Sequence, residues 1–317
     1  GSAPDVCEHG EIAVNGWNRA KGVPEKAHIA ALLQDPARPG VVHLGLSDEL
    51  GYLYSDDGGR SFRAPGSGPG GGVRSLALCL TMPARLYAAM ESNTVMRSSD
   101  YGKTWQKPAM RGFAVSKTPV AIQLIADPSD ASRLFLLALG TPEALWRSND
   151  GGESWSRMDR GLSGKPTHPE MVVPPMLAVT RSGVKIALLG GGRIARIGPG
   201  EDRWQDATPR APKPTAEWVT ADPRHASRLW RTGQGKLWRS DDGKRWNPVG
   251  TFADAAIVNC DTAAPNRLLV VCYSGVFLST DGGKTRKRVG EKGMLHAVFA
   301  KDNLVGADYQ SVYWRKR

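Results

Sequence analysis

The sequence predicts an all-β fold, a closed ring of seven four-stranded antiparallel blades, or β-propeller. Three observations predict it: an aspartate-bearing octet that recurs along the chain, apolar runs of strand length only, and turn residues between nearly all of them. Gly 37 and Pro 22 among 317 residues leave little room for long helices. Hydrophobic residues at 40% can still fill a sizeable core. No apolar stretch reaches the roughly 18 residues that a membrane-spanning helix needs. One domain is expected over residues 1–317, with a tail over about 1–10.

The octet first appears as Ser55-Asp56-Asp57-Gly58-Gly59-Arg60-Ser61-Phe62. It returns as Ser98-Ser99-Asp100-Tyr101-Gly102-Lys103-Thr104-Trp105 and Ser148-Asn149-Asp150-Gly151-Gly152-Glu153-Ser154-Trp155. A shortened copy runs from Ser240 through Asp242 to Trp246, and a last one from Ser279 through Asp281 to Thr285, with Arg286 at the aromatic position. The first serines lie 43, 50, 92 and 39 residues apart, so one unit within the long gap has lost its octet. Residues 194–204, ending at Trp204, fit that degenerate unit. The residue types have a local logic. Asp and Ser side chains tie down a tight turn, and Gly supplies positive φ. The aromatic then enters the next strand, where it can plug the gap between two sheets. Asp57, Asp100, Asp150, Asp242 and Asp281 are therefore expected to form turns. Scattered over separate hairpins, they cannot work as a catalytic carboxylate pair.

Around each octet runs a second rhythm. An apolar strand precedes an Asp/Pro-rich turn, and a second strand opens Arg-Leu at Arg85, Arg133, Arg228 and Arg267. A third strand leads into the octet, and the segment after it supplies a fourth. Four strands in about 40–50 residues make one propeller blade. First strands are expected near Ile29, Val73, Val120, Met176, Glu217, Ala255 and Leu295. The seventh unit ends after its third strand, so an N-terminal strand over residues 11–17 is expected to pair with it and close the ring. Trp17-Asn18-Arg19 resembles Trp105-Gln106-Lys107, which supports that closure. Of the four cysteines, Cys260 and Cys272 are the favoured disulfide, with Cys7–Cys79 as a second pair. Disulfides would fit a periplasmic or secreted protein. The Gly1-Ser2 start is common after tag cleavage, and an export signal is expected to have preceded it in the natural protein.

The octets resemble the Asp-box (BNR) repeat of sialidases, xyloglucan hydrolases and sortilin-type receptors. Over nearly the whole chain, repeat count and length are similar to the photosystem II stability/assembly factor-like propellers of bacteria. That resemblance implies a non-enzymatic scaffold or assembly role, with a basic surface that binds membrane-protein precursors. The sialidase likeness implies an Arg-Ile-Pro motif, an arginine triad and a Tyr/Glu nucleophilic pair; the sequence has no Arg-Ile-Pro, and none of the late tyrosines Tyr273, Tyr309 and Tyr313 has a convincing Glu partner. The xyloglucanase likeness is the enzymatic alternative, a glycan-binding or glycan-cleaving propeller. It implies an acid/base carboxylate ahead of the first octet, where Asp48 stands.

Net charge is +11, which favours an anionic partner. The links between blades are basic, and the candidate binding residues are Arg63, Arg74, Lys107, Arg111, Lys117, Arg157, Arg160, Lys165, Arg210, Lys213, Lys287 and Arg288. They are expected to dock an acidic protein or a membrane-associated protein complex, or else a glycan or other polyanion. Nucleic acid is not expected. The longest link, 157–175, is rich in Gly and Pro and marks a functional loop. The histidines show no metal-binding spacing, and neither a metal nor a cofactor is expected.

Overall fold

The computed structural model describes residues 16–47, 49, 51–113, 120–139, 144–162, 177–189, 192–209 and 218–317. Their strands form seven antiparallel sheets, five of four strands and two of three. The chain is a seven-bladed β-propeller. Innermost strands are Ile29–Gln34, Val73–Leu78, Val120–Asp127, Leu177–Val179, Trp218–Ala221, Ala255–Cys260 and His296–Ala300. Each begins within one residue of its expected start. Each also touches the innermost strand of the next blade, and the seventh touches the first, so the circle is complete. In blades 1 and 2 the fourth strand shrinks to single bridges, Tyr54–Arg63 and Arg97–Gln106.

Blades form because every strand residue faces one of two seams. On the second strand of blade 3, Leu134 and Leu136 pack toward blade 2, while Phe135 and Leu137 pack toward blade 4. Both faces are covered, so second strands such as Leu86–Met90 and Leu268–Cys272 are buried throughout. The apolar side chains collect into seven clusters, one per seam. Each cluster receives a plug from the outer part of a blade. Phe62, Trp105, Trp155 and Trp204 are buried at their seams. Trp246 packs half-buried against the seam between blades 4 and 5. Arg286 lays its guanidinium over Phe252 and Phe277, at 5.3 and 5.2 Å.

Closure comes from the N-terminal side, one step later than expected. Among the described residues the closing strand is Asn18–Arg19, paired with Trp314 and Tyr313 of blade 7. Trp17 does not pair; it is the seventh plug, buried between blades 6 and 7 with Nε1 donating to the Val289 carbonyl at 2.8 Å. Asn18 thus follows Trp17 as the bridging Gln106 follows Trp105.

The expected disulfide is absent, because Cys260 and Cys272 are both free. Cys260 lies opposite Leu268 and Cys272 opposite Ala255, at the two ends of one hairpin. At about 3.4 Å per residue they stand roughly 14 Å apart, whereas a disulfide needs Cα atoms within about 7 Å. Cys79 is free too, and Cys7 lies outside the described residues. Burial pushes the Cys79 and Cys272 thiols up to about 12, which makes both poor nucleophiles at neutral pH.

Trp17→Ala is expected to lower stability by about 3–5 kcal/mol in urea titration. Arg19→Ala, on the exposed face of the closing strand, is expected to change it by no more than about 0.5 kcal/mol.

Candidate functional site

In a four-stranded meander, the turns joining strands 1–2 and 3–4 emerge at one end of the ring. The 2–3 turns and the links between blades emerge at the other. The octets are 3–4 hairpins, and their polar side chains are spent locally. Ser148 Oγ donates to Asp150 Oδ1 at 2.8 Å and accepts from Gly152 N at 2.9 Å. Asp150 also accepts from Ser154 N at 2.9 Å and from the Ser154 hydroxyl. The same pattern holds at Asp57, Asp100 and Asp281. At Asp242 the hydroxyl donor after the glycine is replaced by the backbone N–H groups of Lys244 and Arg245. Gly102 shows why glycine is needed: φ is +83°, and an added Cβ would lie 2.5 Å from Tyr52 Oη in the preceding blade. Gly58 and Gly282 donate to the Gly40 and Asn266 carbonyls in the 1–2 turns of their own blades, at 3.0 and 2.8 Å, and Gly151 donates to the Ser132 carbonyl near the start of its blade's second strand at 2.7 Å.

The 1–2 turns ring an axial depression of about 520 Å³, with Pro36, Leu80, Pro128, Arg181, Arg224 and Thr262 each from a different blade. The octet aspartates are not part of its lining. Arg224 donates to the Thr262 carbonyl at 3.0 Å and Arg181 to that of Pro223 at 3.5 Å, so both guanidinium groups bridge to the next blade.

The candidate cations divide by what they touch. Arg63 turns back onto its own hairpin, with Nε on Tyr54 Oη at 2.9 Å and Nη1 on Asp56 at 3.1 Å. Arg157 pairs with Asp159, and Arg160 pairs with Asp202 at 2.6 Å. Arg74 faces Glu91 at 3.9 Å, and Arg288 reaches Glu291 at 3.0 Å and the Ser274 carbonyl at 2.9 Å. Arg111 is stitched by its backbone to the blade 3 octet through Glu153 and Trp155. Among the described residues, Lys107, Arg111 and Lys287 have no ion-pair partner. Lys117, Lys165, Arg210, Lys213 and the carboxylate candidate Asp48 lie outside the described residues, as does most of the 157–175 link.

At the link end the structure adds three side chains that charge counting passed over: exposed Tyr273, Leu295 and Tyr309. They come from the 2–3 turns of blades 6 and 7 and the link between those blades. No cluster of three or more His, Cys, Asp or Glu suited to a metal ion occurs among the described residues, and no helix there is long and apolar enough to cross a membrane.

No family model matches the chain. Xyloglucanase Xgh74A of Acetivibrio thermocellus is 33% identical over 100 residues, 28% of this chain and 12% of that protein. The chain therefore matches only about an eighth of that relative's length. Among solved structures, YCF48 bound to D1 peptide superimposes with a TM-score of 0.67 at 16% identity, covering 95% of this chain and 97% of that one. The GH74 enzyme of Niastella koreensis gives 0.59 at 15% identity, covering 88% and 50%. The extracellular domain of BT4673 from B. thetaiotaomicron gives 0.66 at 13% identity, covering 96% and 40%. At these identities the likeness shows the propeller fold.

Partial burial opposes ionisation of Asp57, Asp100, Asp150 and Asp242, but their hydroxyl and backbone donors outweigh it and hold them below the usual carboxylate range. The Thr285 hydroxyl and backbone N–H bring Asp281 down to about 2. Such groups stabilise the fold fully above the unfolded value near 3.8, and the contribution disappears as pH falls through the folded value. The urea midpoint is expected to drop between about pH 4 and 2, and Asp281→Asn to flatten part of that slope.

Proposed function

We propose that the chain is a non-catalytic scaffold that docks an acidic segment of a partner protein on the link end of the ring. The observation that carries this reading is the company of cations and exposed aromatics there. Tyr273 is 58% exposed, and Arg288 donates to the carbonyl of its neighbour Ser274. Tyr309, 47% exposed, tilts against His28 at 4.9 Å. Tyr and Arg supply much of the energy in protein interfaces, and a net charge of +11 steers an acidic partner toward them. Arg74 and Lys107 contribute to the same end, with Lys117, Lys165, Arg210 and Lys213 assigned to it from the sequence. The peptide-bound YCF48 structure, a propeller matched over 97% of its length, supports peptide docking by a ring of this size. The same reading puts the protein in the periplasm or outside the cell, as the extracellular BT4673 neighbour suggests.

A glycan-cleaving propeller is the second reading, favoured by the 33% identity to a xyloglucanase over 100 residues. Asp48 would be its acid/base group. Xyloglucan turnover that Asp48→Asn abolishes would establish it; no turnover in the wild type removes it.

For docking, fluorescence anisotropy with a labelled poly-glutamate peptide is the test. Affinity is expected to fall about tenfold or more between low and physiological salt. The combined Arg74→Glu, Lys107→Glu and Arg288→Glu variant is expected to bind roughly tenfold more weakly still, with its urea midpoint little changed. Binding that ignores both salt and charge reversal would refute docking by charge.

A further inference from the structure

The seam between blades 4 and 5 is built unlike the others. Blade 4 has no octet, and the blade 5 copy is one residue short between its serine and Trp246. Elsewhere the indole plugs donate their N–H groups to carbonyls. Trp105 bonds Gly102 at 3.0 Å, Trp155 bonds Gly152 at 3.1 Å, and Trp204 bonds Met158 at 2.6 Å. Trp246 Nε1 is buried without a partner. Beside this incompletely seated plug opens a crevice of about 380 Å³, within the range of small-molecule sites.

Arg231 forms part of the crevice wall. It sits in the middle of the second strand Leu229–Gly233 and is only 2% exposed. Its guanidinium carbon lies 4.7 Å from the Trp238 ring centre and 5.1 Å from that of Trp246. Nε and Nη1 have no hydrogen-bond partner, and no carboxylate among the described residues pairs with the group. Burial pushes it down to about 10, so it remains protonated at neutral pH. A buried cation is expensive without a counter-charge, and two indole faces offset only part of that cost.

The other polar groups of the crevice are largely committed. Arg196 donates to the Asp242 carbonyl at 2.9 Å and pairs with Glu201 at 3.4 Å. Asp206 accepts from Thr208 N at 2.9 Å. Lys244 is exposed on the lining, and no carboxylate among the described residues pairs with it. The site thus lacks one negative group next to Arg231. A planar guanidinium fork suits a carboxylate, and the nearby Asp206 disfavours a doubly charged ion.

We propose that this crevice binds a small organic carboxylate, its anionic group taken by Arg231 and Lys244 and its carbon frame packed against the indoles of Trp238 and Trp246. The crevice reaches from Lys244 of the octet hairpin to Thr208, Pro209 and Gln234 at the link end, but carboxylate binding in it does not rest on docking there.

Isothermal titration calorimetry with benzoate and galacturonate as probes tests it, with benzamide as a neutral isostere and sulfate as an inorganic anion. Saturable binding of at least one carboxylate is expected, with benzamide and sulfate much weaker. Arg231→Met is expected to reduce affinity about tenfold or more while leaving Tm unchanged or higher, because it removes an unpaired buried charge. Lys244→Glu, on an exposed side chain that does not endanger folding, is expected to weaken binding as well, and it decides the matter if Arg231→Met fails to fold. Absence of saturable carboxylate binding, equal binding of benzamide or sulfate, or unchanged affinity in the folded variants would overturn the proposal.

Discussion

The structure depends on filling seven wedge-shaped seams. A twisted four-stranded sheet buries both faces only if its neighbours press on it, and neighbours arranged around an axis diverge toward the rim. A bulky group must fill the widening gap, which is what Phe62 and the indoles of Trp17, Trp105, Trp155, Trp204 and Trp246 do. Arg286 performs the same service with a guanidinium stacked on two phenyl rings. The octet hairpin is the device that delivers the plug. Its aspartate holds the turn, and its glycine lets the hairpin approach the preceding blade.

This dependence explains what could be read in advance. Octets and Arg-Leu openings recur at blade intervals, so the strand starts and the blade count were legible without coordinates. Trp204 could be placed as a plug although its octet had vanished, because the spacing left a vacancy for it. The cysteine pairing fails although Cys260 and Cys272 stand on neighbouring strands of one blade, because register and not strand adjacency decides which residues meet. With the turn at 261–267, the register sets Cys260 opposite Leu268, four residues from Cys272.

Charge was harder to read, because an arginine's partner is rarely its sequence neighbour. Arg133 and Arg267 do pair with the preceding Asp127 and Asp261, at 3.3 and 2.9 Å. Arg228 does not follow them: His225 occupies Asp222, and Arg228 turns to Asp241 instead. Arg160 finds Asp202 42 residues away in the next blade. Arg231 left one trace in the sequence, a cation amid the apolar run of a second strand. Its isolation became visible only when the packing around it was known.

Closure by Asn18–Arg19 on the last blade has a consequence for how the molecule comes apart. A linear repeat array has end units that loosen first, with half the contacts of the rest. Here each innermost strand is flanked on both sides, and no blade is terminal. Opening at any one place forfeits the mutual support of the whole circle, so amides along the inner strands should exchange with solvent at a common, slow rate set by global unfolding.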